Sequence, residues 1–248
     1  MPLFGTLDAR AVTAVPRMRD LDTEAWTLPD AEILQLAFEV GSDALALLPR
    51  AMHPAVPFYV SIGFARYPES PVGAFRLAQV RLVGRAGAHP RGLVLGAVAS
   101  TREAAAALRE RWGLPAMFGA VSLMRYHDRV IGTVVRDGAT ILECALTGPE
   151  MISPADVQYI ASVTLADVIE NGAVRRCIVQ VDPHYTLKRA DRGRPDVTRF
   201  DAVAWGADGV ALRHPVSGSI AVTDTDLPQI RFVMDPEIPV VRGTRRIR

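Results

Sequence analysis

Only one stretch of this chain carries a complete helix signature, which limits the chain to folds built mainly from strands. The run TREAAAALRERWG, residues 101–113, opens on a hydroxyl cap, Ser100 or Thr101, with Glu103 placed to help close the first turn. Its alanines supply helix propensity, and Gly113 and Pro115 stop it. Prolines at 54, 57, 68 and 71 exclude long helices between 50 and 72.

Most remaining apolar segments read as strands: 33–40, 58–64, 75–83, 93–99, 119–126, 130–135, 139–146, 174–181, 198–205, 210–213 and 230–234. Asp137-Gly138 marks a hairpin, and His89-Pro90-Arg91-Gly92 reads as a turn. Ser42-Asp43 is expected to cap a short helix ending at Pro49, and another is expected around 156–160. The run HYTLKRADRGRPD, residues 184–196, reads as a polar loop. Residues 1–20 read as an irregular arm and 241–248 as a loose basic tail. No βαβ rhythm, internal repeat or linker composition appears. The expectation is one domain over 1–248, of the α+β class, mainly antiparallel β with few helices.

The chain has 248 residues, 49% of them hydrophobic, enough to bury a substantial core. Lys+Arg is 28 against Asp+Glu 27, a net charge of +1, so no nucleic-acid partner is expected. No apolar run approaches bilayer-spanning length, so no membrane partner is expected. The N-terminal residues lack the apolar core of a signal peptide. Two cysteines, Cys144 and Cys177, cannot make a disulfide scaffold, and a cytoplasmic location is expected. The five histidines are scattered without H-x-H or H-E-x-x-H, so no metal site is expected. G-x-S-x-G, P-loop and G-x-G-x-x-G patterns are absent, and no cofactor is expected. Lys188 is the sole lysine. Arginine does not serve as an amine nucleophile, so Schiff-base chemistry would require Lys188 or the chain terminus.

The run Arg109-Glu110-Arg111-Trp112-Gly113-Leu114-Pro115-Ala116-Met117 resembles the R-E-x-W-G-[FY]-P-K-K segment of acetoacetate decarboxylases. Leu48-Pro49 resembles that family's V-P step. Val130-Ile131-Gly132-Thr133-Val134 resembles its L-V-G-T-L strand, His184 to Lys188 its N-Y-x-L-K segment, and Asp226-Leu227-Pro228 its D-L-P. These occur in family order over residues 45 to 235. The resemblance implies a β-cone or barrel of antiparallel strands around a small-molecule pocket, usually in a homo-oligomer.

The departures change the chemistry that the resemblance implies. The family's paired lysines form and activate a Schiff base with a β-keto acid, a known case of a lysine activated by a cationic neighbour. Here those positions are Ala116 and Met117. Lys188 matches the distant L-K segment. Leu77 stands where a family glutamate is expected, and the other glutamate falls near Val60 or Ser61. Without an amine no iminium forms, and decarboxylation by the family route is not expected. The joint loss of cations and anions points to a mostly apolar pocket for a neutral, less polar and larger ligand.

On this reading Leu77, Val98, Trp112, Leu114, Ala116 and Met117 line the pocket. Arg17, in Val15-Pro16-Arg17, resembles a family segment whose arginine meets the substrate carboxylate; the alternative is an exposed arm residue. Glu143 shares a strand face with Ile141 and Ala145 and is a candidate acid or base; the alternative is a solvent-facing glutamate. Arg109 and Glu110 are expected to fix the helix, and His127-Asp128 to lie in a turn. Three functions follow. The first is an enzyme without a Schiff base, of lyase, isomerase or cyclase type, carrying out cyclisation, isomerisation or dehydration of a small, largely apolar polyketide-like or keto substrate in specialised metabolism. The others are a non-catalytic binding protein and a residual β-keto acid decarboxylase.

Overall fold

The computed structural model describes residues 3–87, 89–170 and 172–247. Strands β1 (Arg17–Met18), β2 (Trp26–Val40), β3 (His53–Tyr67), β4 (Phe75–Ala86) and β5 (His89–Ala99) precede helix α1 (Arg102–Trp112). Strands β6 (Ala116–Phe118), β7 (Ala120–Arg125), β8 (Arg129–Arg136) and β9 (Ala139–Ile152) follow it. The rest comprises β10 (Ala161–Glu170), β11 (Ala173–Val181), β12 (His184–Phe200), β13 (Leu212–Leu227), β14 (Phe232–Met234), a one-turn helix α2 (Val240–Gly243) and β15 (Thr244–Arg246). Among the described residues these strands form one sheet in the order β15-β14-β11-β10-β5-β4-β3-β2-β13-β12-β9-β8-β7, with β1 beside β10 and β6 beside β5. Pairing is antiparallel except at β1–β10, β10–β5 and β5–β6. This is the mainly antiparallel α+β class that the sequence predicts.

Helix α1 forms for the reasons read from its sequence. Thr101 Oγ1 accepts from the Ala104 N–H at 3.2 Å, and Gly113 ends the helix at φ +63°. A side chain at 113 would meet Ala166 Cβ at 2.7 Å, so both backbone freedom and space demand glycine there. The β8–β9 hairpin turns on Asp137 (φ 52°) and Gly138 (φ 79°), as its Asp-Gly signal predicts.

Several boundaries differ from expectation. Residues 184–196 are not a loop; they form most of β12, hydrogen-bonded to β13 on one edge and β9 on the other. Their polarity reflects an exposed face on which Lys188 sits between Asp30 and Asp224, at 2.7 and 2.6 Å. The strand expected at 210–213 extends to Leu227, and that expected at 198–205 ends at Phe200. The turn expected at 89–92 is strand. The segments Ser42–Leu47 and Pro154–Asp156 are 3-10 turns, and Ser42 caps nothing. The basic tail is not loose over its described residues: β15 pairs with β14, and Arg245 meets Glu170 at 2.6 Å.

Strands β2 to β5 are covered on both faces. Even-numbered residues of β2–β4, among them Leu34, Leu36, Ile62, Phe64, Val80 and Leu82, pack with Val130, Val134 and Leu146 of β8 and β9. Gly132 of β8 lies so close to the Phe64 ring that a Cβ there would sit 2.7 Å from it. The sheet therefore curls back on itself. Odd-numbered residues, including Ile33, Ala65, Tyr67, Phe75 and Leu77, form a second core with Leu108 and Trp112 of α1. Alternating side chains of one strand thus serve two separate cores.

Candidate functional site

The second core is not filled completely. It leaves a partly open cavity of about 60 Å³, room for roughly four to six water-sized groups. One end is apolar, walled by Phe75, Leu77, Leu108, Trp112 and Leu114. The other end carries Gln79, Arg81 and Ser162, with Tyr67, Tyr159 and Tyr185 on the sides; Thr225, paired with Leu28 and Tyr185, lines the cavity on the Phe75 side. Among the described residues, no lysine, histidine, aspartate or glutamate lines it.

Arg81 dominates the polar end. It is 6% exposed, yet no carboxylate pairs with it among the described residues. Its terminal nitrogens donate to neutral acceptors. Nη1 reaches the Ile160 carbonyl at 2.9 Å and Ser162 Oγ at 3.5 Å. Nη2 reaches Gln35 Oε1 and Ser61 Oγ, both at 3.1 Å. Nε has no partner, and neither does the buried Thr225 Oγ1. These are the two unpartnered buried side-chain atoms among the described residues, and both residues line this one cavity.

The backbone is shaped around this guanidinium. A bulge between β4 and β5 falls at the Val80/Arg81 step, where the extra residue re-aims neighbouring side chains. A Cβ at Gly63 would lie 3.2 Å from Arg81 Nη2, and one at Gly92 would lie 2.8 Å from Arg81 Cβ. Gln35 also accepts from the Ile160 N–H and donates to the Gln158 carbonyl, and Tyr159 Oη donates to the Ile33 carbonyl at 2.7 Å. Residues 158–160 are thereby fastened over the polar end.

Burial pulls the Arg81 pKa down, while Tyr185, Tyr67, Tyr59 and Tyr159 oppose that shift. Burial pushes the phenols of Tyr67, Tyr159 and Tyr185 up, so all three stay protonated at neutral pH. Their folded pKa values exceed the ordinary value near 10, so their contribution to stability is complete below pH 10 and is lost as pH rises above it. In an alkaline titration followed at 295 nm, these three phenols are expected to ionise together with unfolding, seen as one jump in absorbance coincident with loss of the circular dichroism signal. Smooth ionisation of all tyrosines in the folded protein would contradict their burial.

The residues expected at the site divide. Leu77, Trp112 and Leu114 line the cavity. Ala116 is buried in the same core without lining it. Met117 is half-buried in β6 beside Val98. Val98 packs in the other core, because it has the opposite parity to Ala97 and Ala99. Glu143 is exposed and accepts from Thr198 Oγ1 at 2.8 Å. A bulge opposite Val134/Val135 leaves Ile141 and Leu142 both buried and breaks the shared face on which Glu143 had been placed. Arg17 is exposed on β1, whose next residue, Met18, points inward. Neither candidate acid–base residue is at the cavity. Arg109 fixes the end of the helix to β6 through the Ala116 carbonyl at 3.4 Å. The sequence reading missed Arg81, although it falls in phase with Phe75, Leu77 and Gln79 along β4.

These features define an α+β chain with a small, partly open cavity between a curled sheet and its one long helix. The chain belongs to the acetoacetate decarboxylase family, whose model matches residues 13–236. Its fold is similar to acetoacetate decarboxylase from Legionella pneumophila, at 20% identity and TM-score 0.74 over 92% of this chain and 95% of that one. It is similar to the enduracididine biosynthesis enzyme MppR, solved with the condensation product of pyruvate and imidazole 4-carboxaldehyde, at 18% identity and TM-score 0.71 over 84% and 89%. It is also similar to an acetoacetate decarboxylase-like enzyme from Sphingomonas wittichii RW1, at 16% identity and TM-score 0.65 over 91% and 97%. No curated protein matches the sequence. Among the described residues, no helix is long and apolar enough to cross a membrane.

Proposed function

We propose that this chain is an enzyme that stabilises the enolate of a short keto acid without forming a Schiff base. One observation carries the reading: the cavity supplies hydrogen-bond donors and a buried guanidinium, but no amine and no base. Lys188 is tied to Asp30 and Asp224 on the outer face of β12, away from the cavity lining. Cyclisation, isomerisation and dehydration by enolate routes begin with proton removal from carbon, for which the lining holds no carboxylate or imidazole. Loss of carbon dioxide from a β-keto acid needs none. The carbon–carboxylate bond breaks, its electron pair enters the enolate, and carbon dioxide leaves. The developing negative oxygen is met by Arg81 and by the hydroxyls of Tyr67 and Tyr185, the Tyr159 proton being held by the Ile33 carbonyl. The substrate carboxylate lies at the apolar end, where poor solvation favours its departure. Carbon then takes a proton from a tyrosine hydroxyl that water restores. The cavity's size favours substrates of about four carbons over polyketide-length ones. MppR, similar in fold, is also solved with pyruvate, a keto acid of that scale.

The test combines carbon dioxide release from acetoacetate with borohydride trapping in the same sample. The expected result is turnover with no borohydride-dependent added mass. Adduct formation at Lys188 would restore an amine mechanism. Absence of turnover from short β-keto acids would leave a binding protein, the reading that a lining without a base also favours.

A further inference from the structure

We infer that Tyr159 bars the mouth of the cavity and sets the size of the ligand that enters it. That the ligand is a substrate rests on the reading given above; the route and its bar do not. Three cavity-lining residues, Tyr159, Pro183 and Tyr185, are partly exposed and also line an open depression of about 500 Å³ on the molecular surface. The cavity and the depression therefore meet at these three side chains. Tyr159 is fixed across the meeting point at both ends. Its backbone lies in the segment held by Gln35 through the Gln158 carbonyl at 3.1 Å and by Arg81 through the Ile160 carbonyl at 2.9 Å. Its hydroxyl donates to the Ile33 carbonyl of β2 at 2.7 Å, and a second backbone hydrogen bond joins it to Ala221 of β13. Its ring stands edge-on to Tyr185 of β12, with centroids 5.0 Å apart.

The bar is strong enough to hold and weak enough to open. The bonds at its hydroxyl are neutral, and water replaces them when the ring swings outward. With the ring in place the space behind it is about 60 Å³, which suits roughly four carbons. A longer chain has to pass the ring. Beyond it the depression offers Val157 and Leu187 as apolar wall, beside His89 and His184. Removing the ring joins the two spaces and moves the size limit outward.

Trp112 reports on the route, because it is fully buried and lines the far, apolar end of the cavity. Trp26 and Trp205 are buried without lining it. Quenching of tryptophan fluorescence by acrylamide and by the bulkier succinimide, both neutral, tests the bar in the full chain. Wild type is expected to admit acrylamide more readily than succinimide. Tyr159→Ala is expected to raise quenching by both several-fold and to narrow the difference between them. Tyr159→Phe, which keeps the ring and loses its hydroxyl anchor, is expected to fall between. In a Trp112→Phe background, Tyr159→Ala is expected to leave quenching of the remaining tryptophans unchanged. Quenching unmoved in Tyr159→Ala, or a rise undiminished in the Trp112→Phe background, which marks general loosening, would overturn the inference. For the substrate, Tyr159→Ala is expected to raise kcat/KM for β-ketohexanoate relative to acetoacetate at least about tenfold. The two readings fail separately: raised quenching without turnover of either acid removes the reaction and leaves the bar, whereas turnover with quenching unmoved removes the bar and leaves the reaction.

Discussion

Arg81→Met is expected to lower kcat for acetoacetate by about 10²–10³-fold, equivalent to roughly 3–4 kcal/mol of transition-state stabilisation, the range seen when one oxyanion donor is removed from a closed site. The loss should fall on kcat more than KM, because the negative oxygen exists only as the carbon–carbon bond breaks. Methionine fills much of the same volume, so the variant tests charge and donors rather than space. Arg81→Lys is the informative companion. It keeps a cation but has three donors on one nitrogen, against the four contacts that the guanidinium makes with Ile160, Ser162, Gln35 and Ser61. Activity intermediate between wild type and Arg81→Met is therefore expected. Steady-state assays with circular dichroism as a folding control decide it. Full activity in Arg81→Met would remove Arg81 from the mechanism.

Trp112→Ala is expected to destabilise the protein by about 3–5 kcal/mol, the usual cost of deleting a buried aromatic. For a domain of this size that lowers Tm by roughly 6–20 °C. Trp112 is fully buried. Its ring meets Trp26 edge-on at 4.9 Å, and its indole N–H donates to the Pro228 carbonyl at 3.1 Å. The same residue's carbonyl accepts from Thr164 Oγ1 at 2.9 Å. The side chain therefore ties α1 to β2 and to the segment after β13 while forming cavity wall. Trp112→Phe keeps much of the packing and loses the hydrogen bond, and about 1–2 kcal/mol is expected for it. Thermal melts of the two variants give the comparison. A Tm change of only a degree or two for Trp112→Ala would mean that the core closes around the gap.

The fold class and the one long helix were legible because their signals are local: a hydroxyl cap, an alanine run, a glycine stop, an Asp-Gly hairpin. β12 was not legible, because its charged outer face makes residues 184–196 look like loop and its strand character comes from neighbours distant in sequence. Three cavity residues, Leu77, Trp112 and Leu114, were within reach through the decarboxylase-like segment around α1. Glu143 and Val98 failed for one reason in two forms: sheet parity decides which core a side chain enters, and a single bulge or a one-residue offset reverses it. Arg81 was hidden by the opposite habit. An arginine in an alternating strand reads as solvent-facing, and only its phase with Phe75 and Leu77 marked it as inward.

The pairing of β13 with β2 matches Leu227 with Trp26 and Leu212 with Val40, so the middle of the sheet is closed by segments from near the two ends of the sequence. Chains rich in such distant pairings fold slowly, because loop-closure entropy is lost before the contacts that offset it form. The hairpin β3–β4, which carries Arg81, can assemble early from adjacent residues, whereas Thr225 and Leu227 arrive only when β13 docks. The cavity is therefore shared between elements that are distant in the sequence, and no assembly lacking β13 contains its full lining.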